Sequence, residues 1–241
     1  MPAEGKSVYE GQARFEPGEV LLYRTAAVAA LFTVVVTLTQ IVIFGLKPPP
    51  DFQPNSGAVV AIFELLRGNS VLGFIELDGL MLVDYVLIAI VFIALAAALR
   101  RSQFFIALLG STLGLVAITA YLGANPAFAM LALSNHYNGD VSTIAAGQAV
   151  LATFQGSGFL VHYTPMGIAG VILSFAMWRG QVFSRTTAVA GFLQGAMMLV
   201  SSTLGTIGLV FALGSLAPFI VWFVLIAMRL LRLSAGAMFP G

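Results

Sequence analysis

Long uncharged runs, each closed by arginine or lysine, constrain this chain more than anything else in it. Thr25–Leu46 carries no charge and lies between Arg24 and Lys47. A second run ends at Leu99 against Arg100 and Arg101, and a third begins at Phe104. A fourth ends at Trp178 before Arg179, a fifth starts after Arg185, and a sixth ends at Met228 before Arg229 and Arg232. A bilayer core about 30 Å thick takes ~20 helical residues to cross. The reading is an all-α, polytopic transmembrane bundle of six helices. The spans are about 25–46, 80–99, 104–123, 159–178, 186–205 and 209–228, inside a membrane domain of 24–233.

Composition agrees. Apolar residues make up 59% of the chain and charged ones 9%, against about 45–50% and 25% in soluble domains. A net charge of +1 offers no basic stripe for phosphates, so nucleic acid is excluded as a partner. With no cysteine, disulfides, thiolate ligands, iron–sulfur clusters and cysteine nucleophiles are excluded too. Residues 1–23 read as a polar, solvated cytoplasmic tail rather than a secretory leader, because the apolar run that follows is too long for one. Residues 234–241 read as a second short tail.

Charge asymmetry sets the expected orientation. With the N-terminus in the cytoplasm, nine basic residues fall inside (Lys6, Arg14, Arg24, Arg100, Arg101, Arg179, Arg185, Arg229, Arg232) and two outside (Lys47, Arg67). Positive charge favours the inner side, so both termini are expected in the cytoplasm of a prokaryotic plasma membrane. In the first outer loop, after Pro48-Pro49-Pro50, Gly57–Arg67 sets Val59, Ile62, Phe63 and Leu66 at helical spacing, with Glu64 and Arg67 off that stripe. This predicts an amphipathic helix at the interface. Val141–Gln155 is also expected to be helical, and to end at Gly156-Ser157-Gly158.

Polar residues inside spans nominate a site. Counting inward from the outer boundary near Leu80 puts Asp84 roughly 6 Å deep, and the same count puts His162 about 4–5 Å deep. Gln40 and Tyr121 fall at the same level. Pro165 frees the Val161 carbonyl beside His162. Asp84, His162, Gln40 and Tyr121 therefore form a candidate polar layer. As chemistry it suits a proton relay, a carboxylate–imidazole ligand set or a general acid/base couple; as structure it suits helix pinning. Glu76, Asp78, Asn125, His136 and Asp140 make a candidate outer mouth. The two histidines match no ligand spacing, so no metal, catalytic residue or cofactor is assigned. Gly110/Gly114 and Gly191/Gly195 are small-xxx-small pairs that let helices approach closely, within the bundle or between two copies.

The run from Tyr121 to Ser134, Tyr-Leu-Gly-Ala-Asn-Pro-Ala-Phe-Ala-Met-Leu-Ala-Leu-Ser, with His136 and Tyr137 after it, resembles a stretch of a bacterial family of six-span membrane proteins catalogued only as a domain of unknown function. Gly156–Val161, Gly167–Ser174 and Thr206-Ile-Gly208 add to the resemblance, which runs from about Leu77 to Leu233. It implies six helices and a prokaryotic plasma membrane, and it assigns no catalytic residue. The expected function is a non-catalytic accessory, scaffold or sensor component, with the lipid bilayer and either a membrane-protein partner or a second copy as contacts. A small proton-coupled carrier and an intramembrane enzyme are the alternatives, both resting on Asp84 and His162.

Overall fold

The computed structural model describes residues 16–47, 50–203 and 206–236. The remainder of the expected tails and Pro48-Pro49 lie outside the described residues. Among the described residues the chain is all helical, with α1 (Pro17–Leu46), α2 (Ser56–Gly68), α3 (Ser70–Glu76), α4 (Gly79–Ala124), α5 (Ala127–His136), α6 (Val141–Thr153), α7 (Phe159–Gly180), α8 (Arg185–Ser201) and α9 (Thr206–Gly236). One π-helical turn, Phe154–Gly158, joins α6 to α7. Among the described residues, four helical stretches are long and apolar enough to cross a membrane: Pro17–Leu46, Gly79–His136, Val141–Gly180 and Val210–Ala235.

The second of these stretches is folded double. α4 leaves helical geometry at Gln103 (φ −146°, ψ 47°), beside Arg100 and Arg101. Its two arms, 79–102 and 104–124, then lie side by side. Ser111 Oγ donates to the Phe92 carbonyl at 2.9 Å, Tyr85 and Tyr121 stack at 4.3 Å, and Asn125 Nδ2 donates to the Asp78 carbonyl at 3.3 Å. The paired numbers sum to nearly the same value, as an antiparallel hairpin about Gln103 requires. The 17-residue α8 reaches ~26 Å at 1.5 Å per residue, which is why it falls just short of the crossing length.

Packing neighbours run α1, α4, α7, α8, α9 and back to α1. Unlike a water-soluble bundle, this one carries large apolar side chains on its outer surface as well as in its core. On α1, Ala26, Ala27, Ala30, Thr33, Thr37 and Gln40 face inward, while Val28, Leu31, Phe32, Val35 and Val42 are exposed. Small and polar residues inside with large aliphatics outside is the arrangement lipid favours, since apolar exteriors cost nothing there. The core holds Tyr23, Phe92, Trp222 and Phe223.

Each end of the bundle has its own chemistry. At one end, Glu19 of α1 pairs with Arg100 (2.5 Å), and Arg229 Nε donates to the Val182 carbonyl (2.5 Å). Arg185 covers Trp178, and Arg179 covers Phe175. At the other end, α2, α3, α5 and α6 build a cap with its own core of Val59, Ile62, Phe63, Leu66, Leu77, Ala127, Met130 and Leu151. Arg67 ties α2 to the end of α5, donating to the Ser134 carbonyl (2.8 Å) and to the Tyr137 carbonyl.

Three stretches differ from expectation. The tail reading fails from Pro17 to Tyr23, which are helical. Pro17 opens the helix, and the Glu16 N–H donates back to the Glu19 carboxylate at 3.1 Å. Glu19 and Tyr23 are buried, because arginines some 80 residues on supply the counter-charge. Residues 234–236, expected in the second tail, continue α9. Gly156-Ser157-Gly158 does not end the preceding helix. It is absorbed into the π-helical turn, so α6 runs on into α7.

Candidate functional site

The candidate polar layer splits into two centres. Successive helical residues point ~100° apart, so depth alone does not bring side chains together. Asp84, 2% exposed, turns toward α1, where Thr37 Oγ1 donates to its Oδ2 at 3.5 Å. Thr33, one turn away, faces the same carboxyl group. Tyr85 turns the other way, toward α7, and its hydroxyl meets His162 Nε2 at 2.5 Å. The structure therefore places Asp84 and His162 on opposite sides of the first α4 arm, with no hydrogen bond between them among the described residues.

His162 is 1% exposed, and both its ring nitrogens are engaged. Nδ1 lies 3.2 Å from the Ala117 carbonyl, which can only accept. That fixes the proton on Nδ1 and leaves Nε2 of the neutral ring to accept from the Tyr85 hydroxyl. The imidazole thus clamps both arms of α4 to α7. Tyr121 joins from the second arm, its ring 4.3 Å from Tyr85 and 5.0 Å from His162. The Tyr163 ring lies 5.1 Å from the imidazole.

Asn125 closes the outer end of this cluster. Its Nδ2 donates to Tyr121 Oη (3.2 Å) and to the Asp78 carbonyl (3.3 Å), and its Oδ1 accepts from the Ala127 N–H (3.0 Å). Asp78 sits in the left-handed region (φ 60°) at the start of α4, a conformation that Asp tolerates better than most residues. Burial raises its carboxyl to about 6, against the opposing pull of a bond from the Tyr121 hydroxyl.

The remaining residues of the expected mouth are spread out. Glu76 is buried and paired with Lys47 at 2.6 Å. Asp140 caps α6, accepting from the Thr143 N–H (2.8 Å) and Ser142 Oγ (2.7 Å), which hold its carboxyl well below the usual carboxylate range. His136 is exposed at the end of α5. Gln40 donates weakly to the Ile75 carbonyl at 3.5 Å. An open cavity of about 250 Å³ lies among the end of α4, α5 and α6, lined by Asn125, Ala129, Val150 and Thr153; neither Asp84 nor His162 reaches it.

All four nominated glycines sit inside the bundle. Gly110 lies against Leu173 of α7, and Gly114 against Phe92 across the hairpin. Gly191 lies against Ser174 and Trp222, and Gly195 against the α7 backbone at Gly167 and Val171.

Sequence reasoning missed Tyr85, Tyr163, Thr33 and Thr37. The threonines left a signal: with Gln40 they stand at i, i+4 and i+7 in an otherwise aliphatic span, one face of a helix. Among the described residues no group of three or more His, Asp or Glu side chains is placed to hold a metal ion. No family model, curated protein or solved structure significantly matches this chain.

Proposed function

We propose that this chain is a six-crossing protein of a prokaryotic plasma membrane, with both termini in the cytoplasm, and that it acts as a non-catalytic accessory component. The six crossings are α1, the two arms of α4, α7, α8 and α9, with α2 near the outer interface. Support for the orientation comes from the end of the bundle where Arg100, Arg101, Arg179, Arg185 and Arg229 gather, opposite the cap that carries Arg67. The resemblance to the six-span family of unknown function points the same way, and we propose membership in it.

One observation carries the accessory reading. Most of the polar side chains nominated for chemistry are spent on structure: His162 with both nitrogens, Asn125 with three bonds, Asp140 as a cap and Glu76 in an ion pair. A second reading, a proton-coupled carrier, draws on Asp84, whose buried Oδ1 has no hydrogen-bond partner.

The absence of native cysteine makes the topology directly testable. In intact cells, Ser102→Cys is expected to resist an impermeant thiol reagent and His136→Cys to react; the reverse pattern overturns the orientation. For function, the protein purified in mild detergent is expected to run with a second membrane protein. Solute transport or turnover by the chain alone in liposomes, lost in a folded His162→Gln or Asp84→Asn variant, overturns the accessory reading.

A further inference from the structure

The seam between α1 and the first arm of α4 contains a carboxyl group with no counter-charge. Asp84 forms no ion pair among the described residues, and Lys47, at the outer end of α1, is taken by Glu76. Three oxygens in this seam, Asp84 Oδ1, Thr33 Oγ1 and Gln40 Oε1, are buried and within hydrogen-bond distance of no partner among the described residues, although Thr33 faces the carboxyl group. Thr33 is fully buried, Gln40 5% exposed and Asp84 2% exposed. An ionised carboxylate in such a place is strongly disfavoured unless it is paired, so something must neutralise it.

The geometry points to a proton, and we infer that Asp84 is a proton-binding site: Oδ1 carries the hydrogen and donates it to Thr33 Oγ1, while Oδ2 accepts from Thr37 Oγ1. The Thr33 hydroxyl could donate its own hydrogen to Oδ1, so what calls for the proton is the buried carboxyl's lack of a counter-charge rather than the number of hydrogen bonds. A divalent cation fits less well, because Ca²⁺ takes 6–8 oxygens and Mg²⁺ six, whereas the carboxyl and two hydroxyls supply four. Thr33, Thr37 and Gln40 share one face of α1, and Gln40 reaches toward Ile75 and the Lys47–Glu76 pair at the outer end.

The groups around the site are few. α1 presents Thr33 and Thr37, which do not titrate in the accessible range. On α4 itself the nearest titratable groups are Tyr85, turned away toward α7, and Asp78 at the outer end; α3 contributes Glu76, already paired. The inference does not depend on the accessory reading, since it concerns how the carboxyl is occupied and not what the whole protein does.

Infrared spectroscopy of the protein in lipid vesicles tests it. At neutral pH a protonated-carboxyl C=O band, shifted in D₂O, is expected in the parent protein. It should vanish in Asp84→Asn, move in Thr33→Val and persist in Glu76→Gln. Dicyclohexylcarbodiimide, which attacks protonated carboxyls, should leave an adduct on Asp84 by mass spectrometry, and less of it as the pH rises. Should Asp84→Asn fail to fold, the adduct and the Thr33→Val band shift in folded protein still decide. Absence of both band and adduct overturns the assignment. So does protection from the reagent by sodium ions at constant pH, which would make the occupant a metal cation.

Discussion

Replacing Gly195 by alanine tests how closely α7 and α8 approach. A Cβ at Gly195 meets the Gly167 carbonyl oxygen at 2.7 Å and the Val171 nitrogen at 2.9 Å. Both are backbone atoms, so neither can rotate away as a side chain would. The relation is reciprocal, since a Cβ at Gly167 meets the Gly195 carbonyl oxygen at 2.8 Å. Ordinary contact lies near 3.4 Å, so the helices must separate by roughly 0.5–1 Å, a gap that forfeits a quarter to a half of each dispersion contact along the seam. Overpacking of this kind costs about 1–3 kcal/mol. Alanine returns up to ~1 kcal/mol in helix propensity, leaving a net loss of up to about 2 kcal/mol, or about 1–3 kcal/mol relative to a variant that gains only the propensity. Gly45→Ala is the control, because nothing lies within 4 Å of its Cβ position and only the propensity gain applies. Reversible unfolding in mixed detergent micelles gives the numbers. The double variant Gly167→Ala/Gly195→Ala should cost less than the sum of the singles, because one separation serves both methyl groups. A Gly195→Ala protein as stable as Gly45→Ala would refute the close approach.

Three further outcomes are expected. Tyr85→Phe leaves His162 Nε2 buried without a donor and should cost about 1–3 kcal/mol in the same unfolding assay; no loss would mean that the Tyr85 bond contributes nothing. Asp78 has its carboxyl raised to about 6 when folded, so its contribution is greatest below the ordinary carboxylate range and is lost as pH rises through about 6. Asp78→Asn should flatten the fall in stability across that window, and an unchanged pH profile counts against the burial. Asp140 has the opposite sign: its carboxyl is held low, so the α6 cap is in place above the usual carboxylate range and is lost on acidification. Protection factors for amide exchange at Thr143 and Ile144 should therefore fall on acidification, and Asp140→Ala should abolish that fall.

Which parts of this architecture were legible in the sequence follows from what each signal encodes. Hydropathy and the placement of arginines report position along a helix axis. The hairpin at Gln103 was readable because Arg100 and Arg101 interrupt an apolar stretch longer than any bilayer needs. The buried stripe Val59, Ile62, Phe63 and Leu66 was readable from its spacing, though not the fact that it packs on α5 and α6. Depth placed Asp84, Tyr121 and His162 at one level, but azimuth decides which of them meet. The step from Asp84 to Tyr85 sends one side chain to α1 and the other to α7. The start of α1 was lost for a related reason. Glu16 and Glu19 look like tail residues until Arg100 is known to fold back beside them.

The same distinction between axis and azimuth bears on how α1 is held. Charged contacts tie it to its neighbours at both ends, Glu19 with Arg100 at one and Lys47 with Glu76 at the other. Both cations are about half exposed, so each pair is screened and adds little to global stability. What the pairs fix is register: with the two ends anchored, sliding of α1 along the bundle is opposed while small separations of its middle are not. That middle is where Thr33, Thr37 and Gln40 face Asp84, with three oxygens lacking partners. A seam pinned at its ends and under-satisfied at its centre has a ready response to a change in charge. Were Asp84 to lose a proton, the carboxylate would gain most by drawing water in along the threonine face, and the end anchors would confine that opening to the seam.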